Sequence, residues 1–158
     1  VNDREKFHKL FTKAESEKIG IDVLKEPWTK SSSHVTHWEY QTSYVTICTE
    51  GITEHFLTVV LAHEIGHITI TRKGLEIGDY FENPLLHELY AWKVALEDER
   101  IEENPELFEL AQWQLNRYLF ASCRALNDTT DTDAQKEEIE RLINSLSLHV
   151  QKRTQTFI

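Results

Sequence analysis

The chain has 158 residues, 40% of them hydrophobic, which fits one domain with a sizeable core. Lys and Arg number 17 against 27 Asp and Glu, and the formal net charge of −10 argues against nucleic acid as a partner, because proteins that bind phosphate backbones present a basic face. No apolar run approaches the roughly 18 residues needed to cross a bilayer, and the polar start Val1 to Lys6 does not resemble a secretory signal, so no membrane partner and a cytoplasmic location are expected.

In chain order, the first twenty residues pattern as a helix, with Phe7, Leu10, Phe11 and Ala14 on one face and Gly20 ending it. Lys25 to Ser33, with Pro27 and a run of serines, reads as loop. From His34 the pattern turns to alternating β-branched and aromatic residues, first Val35, Trp38 and Tyr40, then Tyr44, Val45, Ile47 and Cys48. These two runs predict a strand pair with a turn near Gln41 to Ser43 and a second turn at Glu50-Gly51. Thr53 is placed to cap a helix through the apolar run Phe56 to Ile70, and Arg72, Lys73 and Gly74 read as its cationic last turn and left-handed end. Asn83-Pro84 and Asn104-Pro105 are two further helix starts, with Asn as the cap and Pro in the first turn. They predict helices over about 84–101 and 105–126, and after a polar break from Asn127 to Asp133 a last helix over about 134–152, with Ile139, Leu142, Ile143, Leu146 and Val150 in one apolar stripe. The acid run Glu97 to Glu103 reads as a solvated helix end.

Cys48 and Cys123 lie far apart with no Cys-x-x-Cys pairing, which fits two buried thiols in a reducing compartment better than a disulfide scaffold. The chain starts at Val1 and contains no Met, so the location applies to a chain from which an upstream segment can have been removed.

Chemistry concentrates in His63-Glu64-Ile65-Gly66-His67. On an α-helix, positions 63 and 67 lie about 40° apart around the axis and about 6 Å apart along it, so both imidazoles reach one metal ion. Glu64 projects from the adjoining edge of that face, too far round to be the natural third ligand but placed to take a proton from water at the metal. Two imidazoles and a carboxylate on a mostly apolar helix otherwise need separate polar partners, which favours a metal over a plain core helix.

A catalytic zinc takes three protein ligands and keeps a position for water. The helix starting at Asn83 carries His87-Glu88-Leu89-Tyr90-Ala91-Trp92. Glu88 is the expected third ligand and the adjacent His87 the alternative; Glu82, ahead of the cap, is weaker. A donor for the oxyanion of a tetrahedral intermediate is drawn from Tyr90, His87 or His149, with Tyr90 the first candidate although helix packing accounts for Tyr90 and Trp92 as well. His8, His34, His37 and His55 read as surface or strand residues.

His63-Glu64-Ile65-Gly66-His67, followed by Glu88-x-x-Ala91 on a second helix, resembles the gluzincin class of zinc metallopeptidases, and among them the ImmA/IrrE family, whose members place a short strand pair directly before the active helix. The resemblance covers about residues 34 to 100, preceded by a helix. It implies an α+β, mainly helical fold with a zincin-like core, zinc held by His63, His67 and Glu88, Glu64 as the base, and a strand around Tyr44 to Cys48 that supports an extended substrate. It further implies peptide or protein substrates, often repressor or regulatory proteins. The expected organisation is a core over 1–104 with a helical extension over 105–158 packed on it, all in one domain. Two readings follow: a zinc-dependent peptidase, or a catalytically latent zinc-binding regulatory protein of the same fold. Hydrolysis of a small amide is a third.

Overall fold

The computed structural model describes residues 9–10, 12–14, 17–27, 34–37, 43–73, 84–128 and 133–157; for 34–37, 44, 73, 120–128 and 133–135 the description extends to the backbone only. It is mainly helical, with one small sheet. Strand β1 (Ile19–Pro27) runs parallel to β3 (Ser43–Glu50), and β2 (His34–His37) pairs antiparallel to β3 on its other side, giving the order β1-β3-β2. The expected pair β2 and β3 is present, with His34 opposite Thr46 and His37 opposite Ser43; its turn lies outside the described residues.

Strand β1 corrects two expectations. Gly20 does not end a helix but sits in a strand opposite Tyr44, and Lys25 to Pro27 continue that strand rather than open a loop. The helical segment at 12–14 stops earlier: Glu17 N–H donates to the carbonyls of Lys13 and Ala14, and Lys18 takes the left-handed conformation at φ 58° that glycine would adopt more cheaply. Arg72 donates to the carbonyls of Glu17 and Lys18, so the cation expected to serve its own helix end secures this turn instead. The alternation Ile19, Ile21, Val23 is the signal for β1, but only Ile19 is buried and Val23 and Leu24 are exposed, so the strand forms by pairing with β3 more than by burial.

Because β3 is the middle strand, β1 and β2 occupy its ladder on both sides over Ser43–Thr46. It is therefore not the free edge that an extended substrate would need there; among the described residues the outer edges belong to β1 and β2.

Helix α1 (Glu54–Lys73) packs one side on β2 and β3 and the other on helices. Thr53 caps it, accepting from Phe56 N–H at 3.2 Å. Every residue from Leu57 to Ile68 is buried, and the helix carries its polar residues inward by pairing: Thr58 and Thr69 return their hydroxyls to the carbonyls of Glu54 and Ile65. Helix α2 (Pro84–Glu97) lies against α1. It ends four residues sooner than expected, because Asp98 turns out of the helix at ψ 121° and caps a separate short helix, α3 (Glu99–Glu102), accepting from Arg100 N–H at 3.0 Å. Asp98 also binds Lys13 at 3.0 Å, so this part of the acid run is an anchor for the N-terminal segment, while Glu97, Glu99 and Glu103 face solvent as expected.

Asn104 caps α4 (Pro105–Asp128) through Leu107 N–H at 3.0 Å, and α5 (Asp133–Thr156) returns alongside it. Leu107, Phe108, Ala111 and Leu115 from α4 and Ile139, Leu142 and Leu146 from α5 join the same buried cluster as Val45, Ile47, Leu61 and Leu89. Among the described residues no helix is long and apolar enough to cross a membrane.

Candidate metal centre

One turn of α1 separates His63 from His67, and their rings meet edge to face with centroids 4.7 Å apart and the two Nε2 atoms 3.2 Å apart. Across the helix interface, α2 brings Glu88, whose Oε2 lies 2.9 Å from His63 Nε2 and whose Oε1 lies 3.4 Å from His67 Nε2. The interface is close because of Gly66: a Cβ there would stand 2.5 Å from the carbonyl oxygen of Ala91, which is one turn beyond Glu88. Gly66 thus lets its backbone approach that of Ala91 until a glutamate side chain spans the gap. That gives the Gly of the first motif a steric function.

The three side chains fit a divalent cation by geometry and by chemistry. One ligand atom from each lies within 4.8 Å of the others. The two Nε2 atoms stand 3.2 Å apart and Glu88 approaches them through its two different oxygens at 2.9 and 3.4 Å, near the donor spacing of about 3.3 Å around a tetrahedral ion with bonds of about 2.0–2.1 Å. Two imidazole nitrogens facing each other cannot both be satisfied without a proton or a cation between them, and Glu88 Oε2 is buried without a well-oriented hydrogen bond despite its short approach to His63. Nitrogen and oxygen donors of this kind suit zinc.

Burial pushes the Glu88 carboxyl up, but the close approach and positive charges of His63 and His67 outweigh it and hold the group far below the usual carboxylate range. It is an anionic donor. Glu64, equally buried beside them, goes the other way: burial raises its carboxyl to about 7, with a lowering from His67 and a further rise from the Glu88 charge. Two electrostatically coupled carboxylates are thus assigned different protonation behaviour by their surroundings.

His87, the alternative ligand, is buried with its ring stacked on that of His67 at 5.8 Å, but it is not in the group whose donor atoms converge. Tyr90 is turned away: its hydroxyl donates to the Glu138 carboxylate on α5 and accepts from Arg141 at 3.2 Å, so it ties α2 to α5 instead of joining the centre. His149 stacks on Phe108, with Glu102 3.8 Å away, and His55 lies 3.1 Å from Glu106, both away from the three converging side chains. Two aromatic residues do adjoin the histidines. Trp92 stacks on His63 with centroids 4.3 Å apart, and Tyr118 of α4 lies 6.3 Å from both His63 and Trp92. Trp92 follows Glu88 by four residues, a same-face spacing legible in sequence, whereas nothing local announces Tyr118.

No protein-family model, curated protein or solved structure matches the chain.

Proposed function

We propose that this chain is a zinc-dependent peptidase with a zincin-like core of the gluzincin kind, in which His63, His67 and Glu88 hold the ion and Glu64 moves the proton. The convergence of those three side chains from two helices, with a second carboxylate, that of Glu64, buried beside them, carries the reading. A zinc ion bound there would supply Lewis acidity, lowering the pKa of water to about 7 and polarising a scissile carbonyl. Glu64, buried beside the three donors, is placed both to accept a proton from water and to return one to a leaving amine. Glu88 stays anionic and offsets the cation's charge, and the apolar helix around the histidines limits competing water. The proposed substrate is a peptide or protein, with a regulatory protein as the class implied by resemblance.

One observation favours the latent reading as a second: His63, Glu64 and His67 are each below 10% exposed, so a substrate carbonyl has little open approach to them. Zinc content and cleavage of a broad protein panel, measured for wild type and Glu64→Gln, separate the two. The peptidase reading predicts one zinc in both proteins and activity lowered about 10²- to 10⁴-fold in the variant. One zinc in both with no cleavage by either supports the latent protein, and cleavage of amino-acid amides alone supports a small-amide hydrolase.

A further inference from the structure

A ligating imidazole ordinarily donates its second ring nitrogen to a carboxylate or a backbone carbonyl, which fixes its tautomer and its orientation. His63 departs from that arrangement: its Nδ1 is buried and has no hydrogen-bond partner among the described residues. Its ring is held by faces. The Trp92 indole lies 4.3 Å away at an interplanar angle of 27°, and the Tyr118 ring follows at 6.3 Å and 23°. Trp92 is 3% exposed, its Nε1 also lacks a partner among the described residues, and packing and stacking hold it in place. An aliphatic side chain would fill the space without burying an unpaired N–H, which makes the aromatic face the asset.

We propose that Trp92 is a positioning residue for His63, its face replacing the missing hydrogen bond and aiming Nε2 at Glu88 and His67, with Tyr118 as a weaker second support. The inference rests on the metal reading above. An imidazole bonded to a cation is electron-poor and is attracted more strongly by the negative face of an indole, so the stack favours the loaded centre over the empty one.

The test compares wild type, Trp92→Phe, Trp92→Leu and Leu96→Ala, the last removing a fully buried side chain elsewhere on α2. Zinc affinity is measured by chelator competition, the cobalt(II) absorption spectrum reports ligand geometry, and proton resonances of the His63 ring are recorded on metal-free protein. Trp92→Leu is expected to bind zinc about 10-fold more weakly with an altered cobalt spectrum, and Trp92→Phe to recover most of that loss. Leu96→Ala should lower the melting temperature and leave the spectrum unchanged. Trp92→Leu matching wild type in affinity and spectrum overturns the role while the metal reading stands; wild type binding no zinc overturns both. Should Trp92→Leu not fold, the ring resonances still decide: the indole ring current displaces them in metal-free wild type, and ordinary positions overturn the stack.

Discussion

At the residue scale, the centre depends on which of two adjacent side chains on α2 reaches between the two histidines of α1. Glu88 points between the histidines and His87 stacks beside His67, although both were chemically competent ligands by type. Glu88→Ala is expected to weaken zinc binding by at least 100-fold and His87→Ala by less than 10-fold, the scale of a supporting contact, as measured by chelator competition. Equal losses would mean that the ion sits elsewhere. The pair His63 and His67 was legible in sequence because helix geometry alone aligns positions four apart. Tyr90 illustrates a signal available but not used: it lies about 200° around the helix from Glu88, on the face that meets Glu138.

At the element scale, the spacing of α1 and α2 is set where Gly66 meets Ala91. Gly66→Ala would put a methyl 2.5 Å from a backbone oxygen, which cannot move aside as a side-chain tip does. The expected result is a loss of about 1–3 kcal/mol in urea denaturation, together with weaker zinc binding as Glu88 is carried away from the histidines. Unchanged stability and affinity would mean the helices do not approach this closely. Asp98 gives the second test at this scale. Burial pushes its carboxyl up, but hydrogen bonds from Arg100 and Lys13, and their charges, outweigh that and hold it below its ordinary 3.8. A lowered folded-state value means that the ionised form stabilises the fold above the unfolded pKa and that this contribution is lost as pH falls through the folded value. Asp98→Asn should therefore cost about 1–2 kcal/mol near pH 7, discounted for the half-exposed Lys13, and the gap to wild type should narrow below about pH 4. A gap constant from pH 7 to pH 3 would contradict this. The same residue explains why one helix over 84–101 was a natural reading of the sequence: Asp98 caps the short α3 from inside an acidic run, and its further partner, Lys13, lies 85 residues away in the chain.

At the scale of the whole molecule, the helical plan was legible because amphipathic stripes and Asn-Pro caps are local signals, and α4 and α5 follow them closely. The sheet was half legible. Strands β2 and β3 alternate visibly, but β1 is held mainly by its parallel ladder to β3, a non-local pairing that an exposed Val23 and Leu24 do not advertise. Tyr118 reaches His63 only because α4 packs on both α1 and α2, so its place beside the histidines is a property of the assembled core.

The central claim, that His63, His67 and Glu88 hold one divalent ion, is tested most directly by zinc K-edge X-ray absorption on the chain reconstituted with one equivalent of zinc. One tightly held ion with two imidazole ligands and oxygen donors at about 2.0–2.2 Å is expected, with loss of the imidazole signal in the His63→Ala, His67→Ala double variant. Zinc that washes out on desalting, or a coordination sphere without imidazole, would contradict it.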